Sequence, residues 1–204
     1  MYSGKYLATM SAALQNVEAS VGNHPATIQE GLDRVLALLG SVRNLNRTQF
    51  FMGNGASAAF AEHMALDWTK NGGLRSVSPS SSVLMSAFAN DFSFQDAYAM
   101  YLDRYAQADD LLFTVSSSGN SENILRAIGK AREMGCLVVT LSGLKPDNSS
   151  RKLGDVNFYV PARTYGIVEC AHQVLLHMIL DAFMGVCDWD RDSYQNMNVS
   201  QLQL

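Results

Sequence analysis

LLFTVSSSGNSENILRAIGKAREMGCLVVTLSG, residues 111–143, is the stretch that decides the fold. Leu111 to Ser116 is apolar without alternation, as a strand buried on both faces must be. Ser121 to Met134 then repeats its apolar residues at helical spacing, and Cys136 to Leu141 is a second continuous apolar run. Strand, helix and strand in that order make a crossover between parallel neighbours. Working outward, the same alternation continues, with strands expected at Gln49 to Met52, Arg75 to Ser78 and Val156 to Val160. Helices are expected at Ala56 to Lys70, Ser81 to Phe88, Phe94 to Ala106 and Ile167 to Val186. The pattern predicts an α/β sandwich with a central parallel sheet covered on both faces, which takes ligands at the carboxyl ends of its strands near a switch in strand order.

Ahead of the sandwich, Tyr6, Leu7, Met10, Leu14 and Val17 form one apolar stripe and Ile28, Leu32, Val35, Leu36 and Leu39 another. They predict two helices joined near His24 and Pro25. All 204 residues read as one domain, with leading helices over 1–45, a sandwich over 46–187 and a polar tail over 188–204. A chain that is 48% hydrophobic and 17% charged has enough apolar surface to fold. Its net charge of -4 gives no basic field for nucleic acid, so no direct nucleic-acid partner is expected. No apolar run reaches the length of a bilayer span, and the first residues lack the pattern of a secretory signal, so a cytoplasmic protein without membrane contact is expected. Cys136, Cys170 and Cys187 are odd in number and widely spaced, which suits reduced packing residues.

Ser116, Ser117, Ser118, Gly119, Asn120 and Ser121 lie where a strand runs into a helix. Helix N-termini leave N–H groups unpaired and carry partial positive charge, so hydroxyls there suit a phosphate. Capping the helix would require a single hydroxyl, and four in six residues exceed that need. Asn54, Gly55 and Ser57 occupy the equivalent turn after the first strand, without the third glycine or the acidic residue of a dinucleotide site. His63 and Asp67, four apart, share a helix face and suit one metal ion, although an ordinary hydrogen bond explains that spacing as well. Glu169, His172 and His177 interrupt an otherwise apolar helix, where such groups are costly to bury unless paired or ligated. Each alone is explained by core packing, while the three together point to function.

The segments FFMGNGASAAFAEHMALDW (50–68), SAFANDFSF (86–94), the stretch over 111–143 and VECAHQVLLHMI (168–179) resemble, in that order, the sugar isomerase (SIS) domain family, and within it the phosphoheptose isomerases. The resemblance implies a flavodoxin-like αβα sandwich, a homotetramer with active sites at subunit junctions, and zinc-assisted aldose–ketose isomerisation, an intramolecular oxidoreduction. It matches Ser57, Ser116, Ser117, Ser118 and Ser121 to sugar-phosphate contacts and Asn90 with Asp91 to a substrate-side pair. His63 and His177 match two zinc ligands. Asp67 stands where the family has a glutamate that is both ligand and base, Glu169 where it has a glutamine, and Asn71 where it has an arginine.

Such an isomerase needs a carboxylate to remove the proton beside the carbonyl, an electrophile for the developing oxyanion, and an acid. Asp67 or Glu169 is the candidate base, a zinc ion held among His63, Asp67, Glu169 and His177 the electrophile, and His177 the acid if it is not a ligand. The expected substrate is a sugar phosphate, sedoheptulose 7-phosphate above all. The alternative is a non-catalytic regulatory SIS protein that binds sugar phosphates, such as a tetramer that partners a replication initiator.

Overall fold

The computed structural model describes residues 1–79 and 81–186; the polar tail and Cys187 lie outside them. The central element is a seven-stranded sheet in the order β2-β1-β7-β6-β5-β3-β4. Its strands are β1 (Glu18–Val21), β2 (His24–Ala26), β3 (Thr48–Gly53), β4 (Arg75–Val77), β5 (Leu111–Ser116), β6 (Leu137–Gly143) and β7 (Val156–Val160). β4, β3, β5, β6 and β7 run parallel, as the alternation predicts. Strand order reverses between β3 and β5, so the loops after these two strands diverge and leave a crevice at their carboxyl ends.

The helices are α1 (Tyr2–Gln15), α2 (Ile28–Asn44), α3 (Ala56–Lys70), α4 (Ser82–Asp91), α5 (Ala97–Tyr105), α6 (Glu122–Glu133) and α7 (Tyr165–Phe183). One face of the sheet packs Phe51, Phe113, Leu141 and Phe158 against α2, α3 and α7; the other packs Phe50, Met52, Leu112 and Val138 against α5 and α6. Phe51 and Phe113, on adjacent strands, stack with centroids 4.8 Å apart. α2 starts sharply because Thr27 accepts from the Glu30 N–H while the Glu30 carboxylate accepts from the Thr27 N–H, a reciprocal cap. α7 is long and apolar enough to cross a bilayer by length and composition, which the sequence reading did not anticipate. Half of that window is buried inside the molecule, and Val168, Ala171, Leu175, Leu176 and Ile179 make α7 a core helix.

The structure departs from expectation between the leading helices. A hairpin, β1 and β2, replaces their direct junction and turns through Gly22 at φ 57°. β1 pairs antiparallel with β7, Val21 opposite Val156, so the sheet is mixed. Strands of four and three residues are too short to show an alternating period, and pairing with β7 is what stabilises them. Cys136 packs as expected and donates its thiol to the Gln107 carbonyl; burial pushes that thiol up to about 11. Cys170, against expectation, is exposed on α7.

Candidate functional site

β3 enters α3 through Gly53, Asn54 and Gly55. A Cβ at Gly53 would meet the Ser57 carbonyl oxygen at 2.5 Å, and Gly55 precedes the helix at φ 57°. This tight turn buries Ser57 at the first turn of α3. β5 enters α6 through the serine loop, where Gly119, at φ 61°, leaves no room for a Cβ beside the Asn148 side chain. The two turns lie side by side because β3 and β5 are neighbours, Gly53 opposite Val115. They enclose a cavity of about 210 Å³ lined by Asn54, Ser57, Ser116, Ser117, Ser118, Ser121, Tyr165 and Glu169. The helices α3 and α6 start at its wall, and no lysine or arginine among the described residues lines it. An anion here would be held by helix N-termini and hydroxyls.

The serines do not serve as caps. Ser121 precedes α6 without a side-chain capping bond; its hydroxyl lies 3.5 Å from that of Ser118. Asn123, inside the first turn, has its Oδ1 accepting from the Ile124 N–H at 3.1 Å. Ser116 shapes the turn by accepting from the Gly119 N–H at 3.2 Å. The Ser117 hydroxyl is buried without a partner among the described residues. A buried donor left unpaired costs about 1–3 kcal/mol, a cost that an anion accepting from Ser117 would offset. Asn120 turns away, its Oδ1 accepting from the Ser149 N–H at 2.9 Å. Asn90 and Asp91 bond to each other at 2.9 Å at the end of α4 and do not line the cavity.

A second group lies between α3 and α7. His63 Nε2 is 3.1 Å from Asp67 Oδ2, His177 Nε2 is 3.5 Å from the same oxygen, and the two imidazole nitrogens are 3.4 Å apart. Three donors around one tetrahedral zinc ion, at about 2.0–2.1 Å each, stand about 3.3–3.4 Å from one another. The donor set therefore fits zinc in both chemistry and spacing. His177 Nδ1 lies 3.1 Å from the Gln173 carbonyl; an N–H donated there leaves Nε2 free to ligate, the usual outer support of a metal-bound imidazole.

Of the four expected ligands, the structure groups His63, Asp67 and His177. Glu169 is not among them. It stands two turns before His177 on α7 and lines the serine cavity instead. Eight helical residues span about 12 Å along the axis, which separates the two positions. Glu169 has no hydrogen bond or ion pair among the described residues. His172 is a core histidine: Nε2 lies 3.0 Å from the Ser142 carbonyl, Nδ1 is buried without a partner among the described residues, and complete burial pushes the imidazole down to about 4. Gln173 and Asp181, one turn either side of His177, flank the group and were not singled out from the sequence, although the same four-residue spacing that pairs His63 with Asp67 marks them. Burial chiefly raises the Asp181 carboxyl above its ordinary range, with nearby His177 opposing and Asp67 adding to the shift.

Comparison with known proteins identifies the family. The family model described as SIS domain matches residues 5–143. A phosphoheptose isomerase of Helicobacter hepaticus is 31% identical over 183 residues, 87% of this chain and 90% of that protein. One from Mycobacterium tuberculosis is 36% identical over 137 residues, 64% of this chain and 69% of its own length. The solved structure of a phosphoheptose isomerase from Neisseria gonorrhoeae shares the fold, with a TM-score of 0.79 at 24% identity over 91% of this chain and 98% of that one. With a crevice at the strand-order switch, a serine loop opening one helix and a histidine pair between two others, the chain belongs to the SIS domain family and is similar within it to the phosphoheptose isomerases.

Proposed function

We propose that this protein is a cytoplasmic, homotetrameric aldose–ketose isomerase that converts sedoheptulose 7-phosphate to a heptose 7-phosphate. The observation that carries this reading is the succession along one side of the molecule of a serine cavity, a free carboxylate and a His–Asp–His group, with Glu169 and His177 on the same helix. A phosphate seated in the cavity meets the N-termini of α3 and α6 and the hydroxyls of Ser57, Ser117, Ser118 and Ser121. His63, Asp67 and His177 would hold the zinc ion, which supplies an electrophile for the developing oxyanion.

Asp67 is engaged with both histidines, and Glu169, which has neither partner, is the base. Its carboxylate removes the proton from the carbon beside the carbonyl, and the C–H electron pair becomes the carbon–carbon double bond of an enediol. The same carboxylic acid then returns the proton to the neighbouring carbon, while a proton passes between the two substrate oxygens. His177, committed through Nε2 to the ion, is relieved of the acid role. A coupled assay of sedoheptulose 7-phosphate turnover tests the reading. A pure, metal-loaded protein that binds sugar phosphates without turning any over belongs to the regulatory class instead.

Two expectations arise here. Ser118→Ala with Ser121→Ala should weaken sugar-phosphate binding by about 10²-fold or more, since each hydrogen bond to a charged group contributes about 1.5–3 kcal/mol. Because neither hydroxyl caps α6, the melting temperature should change little; a large loss of stability at unchanged affinity would contradict this. Light scattering should show a tetramer at micromolar concentration. α4 has no buried residue, α1 buries only Ala13, and Tyr2, Leu7, Val83 and Phe92 are exposed, surfaces that self-association would cover. A monomer would remove the support for sites shared between subunits.

A further inference from the structure

The two loops around the cavity come from distant parts of the chain, and one pair of side chains joins them. Asn54 Nδ2 donates to Asn123 Oδ1 at 2.9 Å, and Asn123 Nδ2 donates to Asn54 Oδ1 at 2.8 Å. A reciprocal amide pair satisfies a donor and an acceptor on each side and fixes both distance and orientation. Asn123 is only 3% exposed, and its Oδ1 also takes the Ile124 N–H at the first turn of α6. On the other side, the Tyr98 hydroxyl donates to the carbonyl of Gly53, next to Asn54. The β3 turn is therefore gripped on two sides, and one grip reaches directly into the helix that carries the serine loop.

We propose that Asn123 is a positioning residue for the anion site: through Asn54 it sets the separation of the two loops, so that the N-termini of α3 and α6 converge on one phosphate. The inference rests on the reading of the serine cavity as a phosphate subsite. It also reassigns Asn54. Although Asn54 lines the cavity, one amide N–H and its oxygen are engaged by Asn123, so part of its contribution to substrate binding passes through the position of the turn.

Inorganic phosphate and sedoheptulose 7-phosphate, titrated calorimetrically into Asn123→Ala, Asn54→Ala and the double variant, test this together with metal content, steady-state kinetics and melting temperature. Each single variant should lose about tenfold or more in affinity for both ligands and raise KM more than it lowers kcat, with metal content unchanged. The double variant should lose no more than the worse single one, the non-additivity expected of two residues acting as one unit. Additive losses would overturn the proposal, as would wild-type affinity in Asn123→Ala accompanied by a lower melting temperature. Should Asn123→Ala fail to fold, Asn54→Ala, on the turn, decides alone: unchanged affinity there defeats the clasp. A wild-type protein that binds neither ligand defeats the phosphate reading and the clasp together, whereas wild-type binding that both single variants retain defeats the clasp only.

Discussion

His63→Ala and His177→Ala should each release the divalent ion and lower isomerase turnover by about 10³-fold or more. An electrophile facing a developing oxyanion contributes several kcal/mol, and each 1.36 kcal/mol is a factor of ten in rate. Either substitution removes one of three donors that stand 3.1 to 3.5 Å apart. The remaining pair cannot enclose an ion. Both histidine side chains are close to half exposed, so truncating them leaves no buried void, and the fold, the assembly and the phosphate affinity should persist. Elemental analysis of the purified variants beside wild type measures the ion, and the coupled assay measures turnover. Variants that keep a full complement of zinc would show that the ion sits elsewhere. Wild-type protein that isomerises while free of divalent metal would leave the three side chains as a hydrogen-bonded group and return the acid role to His177.

Much of this site was legible in the sequence because it lies on strands and helices with strong periodic patterns. β5 and β6 are buried on both faces, and their apolar runs mark them almost to the residue. α3 coincides with Ala56 to Lys70, between the turn of Gly53 and Gly55 and the glycine pair Gly72 and Gly73. The histidine pair with Asp67 follows from helical spacing on α3 plus the resemblance on α7. What escaped depends on contacts across the chain. The hairpin of β1 and β2 exists through pairing with β7, more than a hundred residues away, and its one local signal, the two-residue turn Gly22-Asn23, joins strands too short to show a period of their own. The partner of Asn54 is likewise 69 residues distant. Asn90 and Asp91 form a motif in sequence and yet lie apart from the cavity within one chain, since α4 is held by few neighbours of its own. The resemblance makes Glu169 a ligand because it stands at the family's glutamine position; the fold places it two turns of α7 before His177, against the serines.

That placement of Glu169 separates two mechanisms by one substitution. Glu169→Gln keeps the shape of the side chain and deletes its basicity. If Glu169 is the base, turnover should fall by about 10²- to 10⁴-fold, the usual contribution of a positioned general base, while KM, metal content and phosphate affinity stay close to wild type. Any change in phosphate affinity should be a small gain, because the substitution removes the one carboxylate from a cavity whose other polar lining groups, among the described residues, are hydroxyls, an amide and a phenol. Asp67→Asn should behave differently: Asp67 Oδ2 faces both histidines, so this variant should lose metal first and activity as a consequence. The family resemblance places a glutamine at position 169 and the basic carboxylate at position 67, which makes the opposite outcome concrete. Were Glu169→Gln to retain full turnover and Asp67→Asn to lose turnover with the metal still bound, the proton would be handled at position 67, one methylene shorter than in the relatives. Glu169 would then be a neighbour of the phosphate with no part in the chemistry.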